Sequence, residues 1–206
     1  MADAATRVKV CGVTSVEQAV ACADLGVDAL GVNFVATSPR RVDESLARAI
    51  VEAVGQRTLV VAVVSGMSVE AMRGLVARTG VGCLQVHGGE PADVAALLPH
   101  AYGAVPVASA EDVAVAEAMP GEYVMVDAKV AGALGGTGHT FDWNLVVGLA
   151  GRRKLVLAGG LTPSNVAAAI ARVGPWCVDV ASGVESAPGV KDLGKVRAFV
   201  EAARAG

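Results

Sequence analysis

Cys11 and Asp127 are the residues whose types and settings best suit proton transfer on a small substrate. Cys11 closes the short apolar run Val8 to Cys11, and at a period of two it shares a face with Lys9. A neighbouring ammonium favours the thiolate, which would make Cys11 a general base. The competing reading is a small buried thiol, the usual fate of cysteine. Asp127 closes a second apolar run, Tyr123 to Asp127. A carboxyl partly withdrawn from water there has a raised pKa and can act as a general acid. It could equally cap a helix or pair with Lys9 or Lys129. Gly135-Gly136-Thr137-Gly138-His139-Thr140-Phe141-Asp142-Trp143 follows. Its small residues leave backbone N–H groups available to wrap a phosphate or line a rim, although glycines also mark plain turns.

Other apolar runs end in polar groups. Gln85 and His87 share a face at the end of Cys83 to His87. His87 is open to a catalytic, a metal-binding or a hydrogen-bonded rim role. The rim is favoured over a metal, because no second strand end supplies a histidine. In Ser38-Pro39-Arg40-Arg41 the proline stiffens a loop from which Arg40 could clamp a carboxylate with two parallel hydrogen bonds; otherwise it is a solvated surface arginine. Ala158-Gly159-Gly160-Leu161-Thr162 and Ala181-Ser182-Gly183-Val184-Glu185 suit backbone cradling of a phosphate, through Gly159, Gly160, Ser182 and Gly183. Asp179 shares a face with Ala181. It either reaches a polar group of the substrate or pairs with a basic side chain.

These residues need elements to hold them. Strands are expected at Val8 to Cys11, Ala29 to Phe34, Leu59 to Val64, Cys83 to His87, Tyr102 to Val105, Tyr123 to Asp127, Lys154 to Ala158 and Cys177 to Ala181. Helices are expected between them, at Val16 to Leu25, Glu44 to Val54, Val69 to Arg78, Ala92 to Leu97, Glu111 to Ala118, Trp143 to Leu149, Pro163 to Arg172 and Lys191 to Ala203. Ser15 with Gln18 reads as a capping box, and Thr162-Pro163 places proline at a first helical position. Such a series, at about 25 residues per unit, fits a (β/α)8 barrel whose chemistry sits at the C-terminal strand ends. A doubly wound open sheet has the same alternation.

The 206 residues, 53% hydrophobic and 3% aromatic, suit one domain with a buried parallel sheet, spanning residues 1–206. A net charge of −3 argues against nucleic acid as a partner. No apolar run reaches membrane-spanning length, and the opening residues show no secretory signal, so a cytoplasmic protein is expected. Cys11, Cys22, Cys83 and Cys177 form no CxxC pair and give neither zinc spacing nor a disulfide framework.

Taken in order, the segments resemble phosphoribosylanthranilate isomerase, an enzyme family of tryptophan biosynthesis. The resemblance lies in Lys9-Val10-Cys11-Gly12-Val13-Thr14, Ser38-Pro39-Arg40, Gln85-Val86-His87-Gly88 and Asp127 followed by the GGTGxxFDW run. It continues in Ala158-Gly159-Gly160-Leu161 with Asn165-Val166, and in Asp179 to Glu185 with Pro188-Gly189, Lys191 and Asp192. It implies a single-domain (β/α)8 (TIM) barrel that converts N-(5-phosphoribosyl)anthranilate to 1-(2-carboxyphenylamino)-1-deoxyribulose 5-phosphate, an Amadori rearrangement from aldose to ketose. It also implies Cys11 as general base, Asp127 as general acid, Arg40 at the anthranilate carboxylate and Asp179 near the amino nitrogen. Gln85 and His87 would be substrate-side residues, with Gly135, Gly136, Gly159, Gly160, Ser182 and Gly183 around the phosphate. No metal or organic cofactor is expected, and contact with a neighbouring tryptophan-pathway enzyme is open. Ser65, Gly89 and Ala181 depart from the family pattern without touching the acid, base or arginine. A dual-specificity phosphosugar isomerase and a non-catalytic barrel that binds a phosphorylated ligand are the rival readings.

Overall fold

The structure, a computed structural model, describes residues 5–128 and 142–205. Its strands are β1 (Arg7–Cys11), β2 (Ala29–Asn33), β3 (Leu59–Ser65), β4 (Cys83–His87), β5 (Ala101–Val107), β6 (Tyr123–Ala128), β7 (Lys154–Ala158) and β8 (Cys177–Val180). Each pairs in parallel with the next, and β8 pairs with β1, so the sheet closes on itself. That excludes the open doubly wound alternative. The helices are α1 (Val16–Asp24), α2 (Glu44–Val54), α3 (Val69–Thr79), α4 (Pro91–Ala95), α5 (Ala110–Ala118), α6 (Val147–Ala150), α7 (Val166–Val173) and α8 (Leu193–Ala205). None of the described helices is long and apolar enough to cross a membrane.

Period-two alternation divides the strands' side chains between two cores. Val8, Val10, Leu30, Val32, Val60, Ala62, Leu84, Val124, Leu155, Leu157 and Val178 face outward into one cluster with the helices. Full burial of each such leucine or valine contributes about 1.5–3 kcal/mol. The alternate residues Ala29, Val61, Tyr102, Ala104, Met125, Val156, Ala158 and Cys177 fill the barrel. At its N-terminal end Trp176 meets the Tyr123 ring edge-on at 4.8 Å. The Arg7 guanidinium lies 4.5 Å from the Trp176 ring centre, so aromatic and cationic groups cap that end.

Local chemistry moved several boundaries. Asn165 closes the turn after β7, its side chain accepting from Thr162 N at 2.8 Å and donating to the Gly160 carbonyl at 3.0 Å. The helix therefore starts at Val166, and Pro163 lies in the turn rather than at a first helical position. Ser15 does cap α1 by accepting from Gln18 N at 3.2 Å, but the Gln18 side chain is bonded to Lys191 N instead of completing a capping box. The helix expected at Trp143 to Leu149 is a 3-10 turn, Trp143–Leu145, followed by one turn of α6, since Val146-Val147-Gly148 has weak helical propensity. Lys191 is not helical. It belongs to a small hairpin, β9 (Glu185–Ala187) and β10 (Val190–Lys191), turned at Pro188-Gly189 with Gly189 at a φ of 82°.

Candidate active site

Strands β1, β4, β5 and β8 bring a connected polar network into the barrel. Lys9, 2% exposed, donates from Nζ to Asp179 Oδ1 at 3.0 Å and to Gln85 Oε1 at 2.9 Å. Tyr102 donates to the same Gln85 oxygen at 3.0 Å, and Gln85 Nε2 lies 2.7 Å from His87 Nε2. Burial, the largest single effect, works against the Lys9 ammonium, but Asp179, Cys11 and Tyr102 together outweigh it, and the lysine pKa stands well above its ordinary value. The network, through Lys9, thus brings Gln85, His87 and Asp179 together. Asp179 takes the ion-paired alternative of the two readings open to it. Tyr102 carried no sequence motif, and the pairing of β4 with β5, in which it is Gln85's register partner, brings it there.

Cys11 lies at the mouth, 9% exposed, with Gly31 beside it on β2. A Cβ at Gly31 would stand 2.6 Å from the thiol sulfur, so glycine there makes the space the side chain occupies. Burial pushes the thiol pKa up and Asp179 adds to this, while Lys9 and Lys191 pull it down; the balance is upward. This corrects the expectation that the Lys9 ammonium leaves Cys11 as a thiolate. The Lys9 charge does pull the thiol down, but burial, with a smaller contribution from Asp179, outweighs it. Asp127 is partly buried near the end of β6, and its carboxyl has no hydrogen bond to any described residue. Burial raises its pKa to about 6, with Asp179 adding and Lys9 opposing. Its carboxyl is therefore protonated in a sizeable fraction of molecules just below neutrality.

A second ionic group lies at the side of the mouth. Arg40 bonds Glu185 through Nε at 2.8 Å and Nη2 at 2.6 Å, a two-pronged pair. The fork expected to receive a ligand carboxylate is thus taken up by Glu185, and only Nη1 bonds no described residue. The buried Lys191 ammonium donates to Glu185 Oε1, the oxygen it shares with Arg40 Nε, at 2.7 Å and to the carbonyl of Cys11 at 2.5 Å, with Ala181 O at 3.3 Å. Hydrogen bonds and charges from Arg40 and Lys191 overcome burial and hold the Glu185 carboxyl below its ordinary value. Sequence reasoning gave Glu185 and Lys191 no role. The turn signal of Pro188-Gly189 between them was the clue that they face each other.

The loops after β7 and β8 touch. A Cβ at Gly183 would sit on the Leu161 carbonyl oxygen, so only glycine lets them approach this closely. Gly159 and Gly160 both have positive φ, 95° and 65°. Ser182 and Gly183 open a short 3-10 turn, Ser182–Val184. Gly135 and Gly136 lie outside the described residues. Among the described residues no cluster of three or more His, Cys, Asp and Glu is placed to hold a metal ion.

A closed parallel barrel with its ionisable side chains gathered at the C-terminal mouth defines a (β/α)8-barrel enzyme. Residues 8–202 match the family model described as N-(5'phosphoribosyl)anthranilate (PRA) isomerase. The chain is 45% identical to the N-(5'-phosphoribosyl)anthranilate isomerase of Myxococcus xanthus, over 96% of each chain. It is 40% identical to that of Pseudomonas fluorescens strain SBW25, over 97% of this chain and 96% of the other. Its fold matches phosphoribosyl anthranilate isomerase from Thermotoga maritima with a TM-score of 0.89 at 34% identity, covering 98% of this chain and all of that one. A phosphoribosyl anthranilate isomerase solved with reduced 1-(o-carboxyphenylamino)-1-deoxyribulose 5-phosphate matches at a TM-score of 0.86 and 31% identity, covering 98% and 100%. The chain belongs to the N-(5'-phosphoribosyl)anthranilate isomerase family. It is an isomerase that interconverts aldose and ketose.

Proposed function

We propose that this enzyme converts N-(5-phosphoribosyl)anthranilate to 1-(2-carboxyphenylamino)-1-deoxyribulose 5-phosphate in tryptophan biosynthesis, with Asp127 as general acid and Cys11 as general base. The observation that carries the roles is the contrast at the mouth. A carboxyl without a described partner titrates near 6, and a buried thiol stands close to two ammonium groups. Asp127 protonates the ribose ring oxygen as the C1′–O bond breaks, and the anthranilate nitrogen lone pair forms the Schiff base. The Cys11 thiolate then takes the proton from C2′, and the electron pair released gives the enolamine. Loss of the C2′ hydroxyl proton and gain of one at C1′ yield the ketose. Asp127 is left ionised and Cys11 protonated, and one proton passed from thiol to carboxylate resets the pair.

The acid in this scheme has a lower pKa than the base. Only a minority of free enzyme holds both in the working form, and that minority is constant with pH between the two values. Arg40 offers Nη1 to the anthranilate carboxylate, and Asp179 lies beside the amino nitrogen. Gly159, Gly160, Ser182 and Gly183, with Gly135 and Gly136, surround the phosphate. The work is done in the cytoplasm. The test is direct. Purified enzyme should abolish the fluorescence of N-(5-phosphoribosyl)anthranilate, and its gene should restore growth of an auxotroph lacking this isomerase without added tryptophan. No turnover and no rescue by folded protein would overturn the reading.

A further inference from the structure

We infer that Gln85 is a positioning residue that fixes His87 as the neutral tautomer protonated on Nδ1, so that His87 meets the substrate as a hydrogen-bond donor and not as a base. An ammonium has three donors and no acceptor, so the Gln85 atom 2.9 Å from Lys9 Nζ is the amide oxygen. Tyr102 donates to that oxygen as well. A reversed amide would set N–H groups against an ammonium. The orientation of Gln85 is therefore decided by charge, and its other end is the NH2 group.

That NH2 group lies 2.7 Å from His87 Nε2. It can only donate, so Nε2 must accept and cannot carry a proton. The proton of the neutral ring then belongs on Nδ1, which bonds no described residue. An imidazolium would set two N–H groups against each other at this distance. Burial and the Lys9 charge also disfavour the charged ring, against a smaller opposing pull from Asp179. Asp179 holds Lys9, Lys9 orients Gln85, and Gln85 selects the imidazole nitrogen that carries the proton. His87 is the last residue of β4 and partly exposed at the mouth, in register with Ser65 of β3. The group it suits is an oxygen acceptor, whether carboxylate, phosphate or sugar. In the isomerase this contact is made to the phosphoribosylated substrate, and that clause alone rests on the function proposed above.

The tautomer can be read without substrate. Protein labelled with 15N-histidine should show, in long-range 1H–15N correlation spectra at pH 7, a protonated Nδ1 and a bare Nε2 for His87, assigned by its absence from His87→Gln. A protonated Nε2, or an imidazolium, overturns the inference whatever the activity. Gln85→Glu keeps an acceptor for Lys9 and Tyr102 but offers His87 a carboxylate oxygen, so the proton should move to Nε2. An unchanged His87 spectrum in that folded variant also overturns it. In turnover, His87→Gln keeps an N–H donor and should stay within about tenfold of the parent KM, while His87→Glu should raise KM about 10- to 100-fold, the worth of a hydrogen bond to a charged acceptor. Equal KM values for the two would remove the donor role. Absence of any turnover bears on the proposed function and leaves the spectra to judge the tautomer.

Discussion

Lys9 and Lys191 are both buried, and both are ion-paired, yet they do different work. Lys9 stands inside the barrel, and among the described residues its ammonium bonds side chains, Asp179 and Gln85, beside the Cys11 thiol. Its charge acts on Cys11, His87, Tyr102 and Asp127. Lys191 stands beside the barrel and bonds Glu185 and two backbone carbonyls, one of them that of Cys11. The first pair mainly sets the proton affinities of the mouth, while the second, apart from a weaker pull on the Cys11 thiol, sets where the mouth's backbone lies. A buried charge can tune or it can fasten, and its partners decide which.

The largest effects should come from the groups these lysines serve. Cys11→Ser and Asp127→Asn should each lower kcat by about 10²- to 10⁴-fold with unchanged circular dichroism, as expected for loss of a general base or acid. In the parent, kcat/KM should be flat from pH about 6 up to the elevated thiol value and fall on both sides. Below about 6 the thiolate fraction drops with no further gain in protonated Asp127; above the thiol pKa the carboxyl keeps ionising with no further gain in thiolate. Near-parental turnover in either variant would remove its residue from the chemistry.

The division between tuning and fastening can be broken by two isosteric changes. Asp179→Asn and Glu185→Gln each leave a buried ammonium without an anion, and urea unfolding should show losses of about 3–5 kcal/mol for each. They should differ in the pH profile. Asp179 raises the pKa of both Cys11 and Asp127, so its removal should move both limbs to lower pH. Glu185 is not among the leading charges on either group. Its variant should keep both limbs and raise KM, because Arg40 loses its anchor. Equal shifts in both variants would collapse the distinction.

A smaller effect has the opposite sign. The folded pKa of Asp127 is raised above its ordinary 3.8 to about 6, so the native state is destabilised as pH climbs through that window and the carboxyl ionises in place. Asp127→Asn should therefore be more stable than the parent at pH 7, by about 3 kcal/mol, with the gain vanishing below pH about 4. Equal melting temperatures at pH 7 would show that the carboxyl is better solvated than its burial implies. The exposed pair Arg48–Glu52 calibrates the scale, since Arg48→Ala should leave unfolding unchanged within error.

Most of this architecture was legible because parallel strands buried on both faces give continuous apolar runs, and polar residues at their ends stand out. Cys11, Gln85, His87, Asp127 and Asp179 were visible for that reason. The protonation state of Cys11 was not, because it depends first on burial in the closed barrel and then on charges, Asp179 and Lys191 among them, that are distant in sequence and adjacent in space. Arg40 was visible as a cation but not as Glu185's partner, since nothing local to either residue encodes the other. Lys191 was hidden by a helical pattern that starts two residues later.

The Lys191–Cys11 bond spans 180 positions of the chain, and the Lys9–Asp179 pair spans 170. Contacts of such separation make folding slow, because loop closure precedes any reward. A nascent chain released only as far as β7 holds neither ammonium in place and leaves β1 without one of its neighbours. The Cys11 thiol acquires its surroundings only when residues about 180 positions further along the chain have emerged. Activity regained during refolding should therefore report completion of the barrel's final seam.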